Sequence, residues 1–295
     1  MSQRRPRFKR AKTRHFELTE RDRSILADVE RFGLLTSADI EALYPEGSPQ
    51  NLRRRLQLLF HAKYLDRPRS PLTEGNQPFV YSIGSAGASL LAAKPFRPPR
   101  VHFAHRLALA RVLASFEASC RKHGSVRMIG WEEILAERVP EERRRVRDPS
   151  RWRVGVPGEG AVGIAPDAIF GLHYTELPAG RNRSFFFLEV DLASMPVRRK
   201  TKGTSIERKL LGYRETLRKE LHTRFFGFRT FRVLIVSESP AGKRLTTIRR
   251  AAERLYGLEG RVLFANFASV VGGDALSLEW EQAAHENSRL GTRQG

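Results

Sequence analysis

Residues 185–191 read FFFLEVD. Side chains of a β-strand alternate between its two faces with period two. Phe185, Phe187, Glu189 and Asp191 therefore share one face. The stretch reads as a strand buried along most of its length and ending in two adjacent carboxylates. Like charges that close are costly unless water, a cation or a basic side chain compensates them. Whatever sits between them fixes the chemistry of this end of the strand.

Just upstream, GAVGIAPDAIFGLHY (160–174) reads as a strand interrupted at Pro166, and HYTELPAGRNR (173–183) is a turn of hairpin length. Pairing 161–172 with 184–192 brings Asp167 and Glu189 to one point on the sheet. Carboxylates gathered there suit a hard cation, Mg²⁺ or Mn²⁺. The competing reading is structural: Asp167 shapes a turn or bulge, and the acids pair with Arg198, Arg199, Lys200 or Lys209.

Further out, HFAHRLALARVLASFEASCRKHG predicts an amphipathic helix over about 102–123, with His102 and His105 spaced for one face. VRMIGWEEIL reads as a strand leading into a short helix, and 138–153 as a basic, irregular stretch. SIERKLLGYRETLRKELH is a helix capped by Ser205, TFRVLIVSES a buried strand, KRLTTIRRAAERLYG a helix and RVLFANFASV a last strand. The expectation is an α/β domain with a mixed sheet over 102–275, followed by a flexible tail over 276–295.

The other end of the chain reads differently. LTERDRSILADVERFG offers Thr19 as N-cap with Asp22 three residues on, and Gly33 as a stop. LTSADIEALYP repeats the pattern with Thr36 and Asp39. SPQNLRRRLQLLFHAKYL has Ser48 at the cap and Pro49 at the first helical position. A strand-like QPFVYSIG follows a polar loop. Three short helices and a hairpin over 18–92 predict a winged helix-turn-helix, whose third helix enters the major groove. Gln50, Asn51, Arg53, Arg54 and Arg55 are its candidate DNA contacts; the alternative is a protein-binding winged helix with these residues on a solvated face. The Pro-rich AAKPFRPPRV marks a linker at 93–101.

The 295 residues carry a formal net charge of +21. That excess points to a polyanion, DNA first and an anionic membrane surface second. No apolar run reaches the roughly 18 residues of a spanning helix. Residues 1–17 form a basic arm, expected to be disordered, with no apolar segment of a secretory signal. The only cysteine, Cys120, excludes an intramolecular disulfide and a Cys-based zinc site. These features read as a cytoplasmic, non-membrane protein. P-loop, H-x-H relaxase and G-x-S-x-G signatures are absent from the sequence.

The P-D of IAPDAIF and the E-x-D of FFFLEVD, on successive strands after a helix, resemble the P-D-(D/E)-x-K nuclease fold, an αβββαβ core. The resemblance implies Asp167 and Glu189 as metal ligands and Glu117 as an additional acid. It departs at the third position, where Asp191 stands in place of Lys; Lys209 on the following helix would take that part, with Tyr213 one turn on. The basic loop Arg198, Arg199, Lys200 and Lys202 just past the acids reads as a phosphate clamp, or as a solvated loop. The ordered set LTERDRSIL, HFAHRLALA, APDAIF, FFFLEVDLA and ERKLLGY, over roughly 18–240, resembles the replication-relaxation family of bacterial mobile elements. That implies a DNA-binding protein, with a replication or mobilisation partner or a second copy of the chain as its protein contacts. Either it is a Mg²⁺-dependent endonuclease or nickase using Asp167, Glu189, Asp191 and Lys209, or it is a non-catalytic initiator or regulator.

Overall fold

The computed structural model describes residues 7–12, 16–73, 77–94, 102–193, 196–198, 205–238, 242–283 and 288–291. Contacts divide the chain into two compact units, Met1–Ala118 and Ser119–Gly295. The division falls inside a helix and not at the expected linker, 95–101 of which lies outside the described residues.

The first unit contains α1 (Glu20–Phe32), β1 (Leu35–Thr36), α2 (Ser37–Leu43), α3 (Pro49–His61), β2 (Leu65–Asp66), β3 (Val80–Ile83), α4 (Ser85–Leu90) and most of α5 (Phe103–His123). The three strands form an antiparallel sheet in the order β1-β3-β2. Both Thr caps form reciprocal capping boxes, Thr19 with Asp22 and Thr36 with Asp39. Ser48 occupies its cap position without a side-chain hydrogen bond. Ile25, Leu26, Val29, Ile40, Leu52, Leu56, Leu59 and Phe60 bury the inward faces of the three helices. Ala114 of α5 joins that core, which is why α5 begins within the first unit. His102 lies just before the helix, with φ +72° and its carbonyl accepting from the Arg106 N–H.

The expectation of a disordered arm is corrected for residues 7–12. Arg7 donates to the Gln77 and Pro78 carbonyls at 2.6 and 2.8 Å and lies 4.3 Å from the Phe79 ring. Arg10 lies 4.3 Å from the Phe60 ring and bonds Asp66 at 2.8 Å. Arg67 sits between them, 4.1 Å from Phe60 and 3.9 Å from Phe79, and donates to the Arg7 carbonyl at 3.0 Å. Arginine stacks on aromatic faces while keeping its donors available, and this pins the arm to the sheet.

The second unit continues with β4 (Val126–Ile129), α6 (Trp131–Glu137), α7 (Glu141–Arg144), β5 (Trp152–Val156), β6 (Gly160–Ile164), β7 (Ala168–Tyr174), β8 (Arg183–Asp191), α8 (Ile206–Arg218), α9 (Leu221–Phe226), β9 (Arg232–Ser237), α10 (Lys243–Glu253), β10 (Val262–Asn266), α11 (Phe267–Gly272) and β11 (Glu281–Gln282). Six strands form a mixed sheet in the order β11-β10-β9-β8-β7-β4. β8, β9 and β10 run parallel; the other pairings are antiparallel. Phe187 faces α8, stacked 5.6 Å from Tyr213, whereas Phe186 stacks on Phe170 on the other side. Both faces are buried, which explains the unbroken apolar run of β8.

Three expectations change here. The strand expected across Pro166 is two strands in different sheets: β6 pairs with β5, and β7 pairs with β8. Proline has no N–H for a ladder, and the chain leaves one sheet for the other at this point. The stretch 138–153, expected to be irregular, holds α7 and the start of β5; Trp152 is buried and donates to Thr216 on α8 at 2.8 Å. The expected flexible tail is packed where described: Leu276, Trp280 and Leu290 are buried, and β11 extends the sheet. Among the described residues, no helix is long and apolar enough to cross a membrane.

Candidate active site

Asp167 and Glu189 meet at the C-terminal end of β8. The Asp167 N–H donates to the Leu188 carbonyl at 2.9 Å, the last backbone contact before β7 begins. Its carboxylate then accepts from the Val190 N–H at 2.8 Å. The side chain thus takes over where the ladder stops, and it is fixed beside the residue that follows Glu189.

Helix α8 supplies the other side of the site. Lys209 and Tyr213 lie four residues apart on one face of it. The Lys209 ammonium donates to one Glu189 oxygen, and the Tyr213 hydroxyl donates to the other at 2.5 Å. The side chains of Glu189 and Lys209 are 13% and 15% exposed, and Tyr213 is fully buried. Burial, aided by the Asp167 charge and opposed by Lys209, pushes the Glu189 carboxyl up to about 7. Burial alone would lower Lys209, but the Glu189 and Asp167 carboxylates outweigh it and hold the ammonium above its usual range. Burial, with Glu189 alongside, raises the Tyr213 hydroxyl well above normal, which keeps it a donor.

Asp191 shares the strand face but has its own partners. Arg244 of α10 grips it through two nitrogens, the second at 2.7 Å. Ser237 of β9 donates to it at 2.8 Å. The two neighbouring acids are therefore compensated separately, Glu189 by Lys209 and Asp191 by Arg244. Asp191, grouped with Asp167 and Glu189 from the sequence, has both its oxygens on a bidentate arginine pair of its own. Sequence reasoning missed Arg244 and Ser237. Parallel pairing of β8 with β9, which sets Asp191 opposite Ser237, was the missing information. Glu117, the proposed additional acid, is paired with Arg31 at 3.0 Å.

The candidate nucleic-acid contacts divide in the same way. Gln50, Asn51, Arg53 and Arg54 are exposed on α3, with Arg53 3.4 Å from Glu41. Arg55 turns back: it donates to Asp22 at 2.8 Å and packs 4.8 Å from the Phe16 ring. Asp22 is almost fully buried, so Arg55, unlike Arg53 and Arg54, is a structural partner within the first unit. Arg198 is 3.3 Å from Glu207. Arg199, Lys200 and Lys202 lie outside the described residues.

Among the described residues, no three His, Cys, Asp or Glu side chains gather as a metal-binding group. Asp167 and Glu189 remain as a two-carboxylate oxygen set. Mg²⁺ is commonly held by one or two carboxylates with water and substrate phosphates completing its shell, so this pair fits such an ion in kind. Lys209 adds a fixed positive charge beside it.

Comparison with known proteins returned no match among curated proteins and none among solved structures. The family model described as replication-relaxation matches residues 26–230, from α1 through α9 and beyond Lys209. That is more than half of the chain, and the protein belongs to the replication-relaxation family.

Proposed function

We propose that the protein is a replication-related DNA-binding protein of a plasmid or other mobile element, and that its second unit carries a metal-dependent centre for phosphodiester hydrolysis. The observation that carries this reading is the meeting of Asp167 and Glu189 from adjacent strands, with Lys209 bound to Glu189 from the helix between β8 and β9. The αβββαβ nuclease-like arrangement belongs to this proposal, with the hairpin of β5 and β6 as an insertion. Asp167 and Glu189 would hold Mg²⁺ or Mn²⁺, which when bound lowers the pKa of a water and neutralises phosphate charge. Tyr213 orients the Glu189 carboxylate. Lys209 holds positive charge where an attacked phosphate would gain negative charge.

In the same reading the first unit acts as a winged helix-turn-helix. α3 presents Gln50, Asn51, Arg53 and Arg54 to the major groove, and the strands β2 and β3 form the wing. The net charge of +21 supports a polyanionic partner. The cytoplasmic setting and any second copy or replication partner are part of the proposal as well.

A second reading has its own support. Both Glu189 oxygens already accept a hydrogen bond from the protein. A site closed on itself in this way suits a non-catalytic initiator whose ion pair stabilises the fold. Cleavage assays on single-stranded, duplex, supercoiled and branched DNA, with Mg²⁺ and Mn²⁺, separate the two. Metal-dependent cleavage lost in Asp167→Asn, with DNA binding retained, supports the enzyme. DNA binding without cleavage by the intact protein supports the initiator.

A further inference from the structure

A second polar cleft lies at the opposite end of β8, about 13–20 Å from Glu189 by strand rise. Its volume is about 490 Å³, and Arg138, Arg183 and Arg229 line it together with Phe185, Asn182 and Thr230. Clefts of roughly 300–1,000 Å³ hold ligands of nucleotide size.

Two of the three arginines have defined contacts. Arg138 lies 4.8 Å from the Phe185 ring, and Phe185 itself stacks on Phe228 at 4.1 Å. One Arg138 terminal nitrogen makes a long 3.4 Å contact to the Gly227 carbonyl. Its Nε is buried and has no hydrogen-bond partner. Arg183 is paired with Glu137 at 3.2 Å and also feels the Glu133 charge, although Glu133 is bound by Arg127. Burial, together with the Arg183 charge, lowers the Arg138 pKa. Arg229 is exposed.

We infer that this cleft is an anion site for a phosphorylated nucleotide unit, with Arg138 and Arg183 on the phosphate and Asn182 and Thr230 beside the sugar or base. Guanidinium forks match phosphate oxygens. The shared chemistry is the phosphate ester, whether it belongs to a nucleic-acid strand or to a free nucleotide. The site uses none of the residues of the Asp167 centre and does not rest on that centre being catalytic.

The test is calorimetric titration of the full chain with the trinucleotide d(TpTpT) and, separately, with ADP. Saturable binding of at least one is expected, weakened roughly tenfold or more by Arg183→Gln and by Arg229→Gln. Arg138→Gln is the stronger change but removes the Phe185 contact, so the exposed Arg229 keeps the test independent of folding. Arg145→Gln, an exposed arginine elsewhere, is expected to bind as the wild type does. Binding of the trinucleotide alone identifies a strand as the source, and binding of ADP a free nucleotide. Absence of saturable binding of either up to about 1 mM, or unchanged affinity in both Arg183→Gln and Arg229→Gln, overturns the assignment.

Discussion

Lys209 of α8 donates to Glu189 of β8 in a pocket where both side chains are largely shielded from water. The Glu189 carboxyl, pushed up to about 7, binds its proton more tightly in the folded chain than in the unfolded one. Its contribution to stability is therefore fully present below the usual pKa of about 4.3 and is lost as pH rises through about 7. Lys209 matters most where Glu189 is charged. Lys209→Met is expected to cost about 3–5 kcal/mol at pH 8, because it leaves a buried carboxylate unpaired. The cost at pH 5 is expected to be much smaller. Urea unfolding at both pH values measures this; equal losses would mean that Glu189 does not ionise in the folded protein.

Arg54 and Arg55 are neighbours with opposite expected phenotypes. Arg54 is exposed, whereas Arg55 is bonded to the buried Asp22. Arg54→Ala should weaken DNA binding with a change of stability within about 0.5 kcal/mol. Arg55→Ala should destabilise the first unit by about 2–4 kcal/mol, because it strands Asp22. Thermal unfolding alongside electrophoretic mobility shift on duplex DNA reads both. The reverse pattern would move Arg55 back among the DNA contacts.

Deleting residues 1–12 removes Arg7 and Arg10 from the rings of Phe79 and Phe60. Each such contact is worth about 0.5–2 kcal/mol, so Tm is expected to fall by several degrees. DNA affinity should fall too, through lost charge. An unchanged Tm would show that the docked arm contributes nothing to stability.

Gly212 on α8 lets the hairpin of β5 and β6 sit close. A Cβ there would come 2.2 Å from Ile164 Cδ1 and 3.0 Å from its Cγ1. Gly212→Ala is expected to cost about 1–3 kcal/mol by overpacking. Ile164→Val in the same chain should recover part of that loss, a coupling expected of residues in contact. Additive losses in chemical denaturation would argue against the close approach.

Much of this architecture was legible in the sequence, for local reasons. The Thr19–Asp22 and Thr36–Asp39 boxes are signals contained within four residues, and both formed. The alternation of β8 likewise placed Phe187 and Glu189 on the face that meets α8. Lys209 and Tyr213 were readable as one helix face because their spacing is one turn. What was not legible depended on partners far apart in the chain. Arg244 lies 53 residues from Asp191, and only the parallel pairing of β8 with β9 brings its helix there. The docking of Arg7 on Phe79 is equally non-local, and charge density alone suggested a solvated arm. The Pro166 break was visible, but a break does not say that the chain changes sheets.

The most direct test of the Asp167–Glu189 centre is titration of Mn²⁺ into the full chain by calorimetry, for the wild type and for Asp167→Asn. Asparagine keeps the size of the side chain and removes its charge. Saturable binding at a defined stoichiometry in the wild type, abolished in Asp167→Asn with Tm preserved, is expected if the two carboxylates hold a cation. No binding by the wild type, with duplex DNA present or absent, would contradict a metal centre and leave Glu189 and Lys209 as a structural pair.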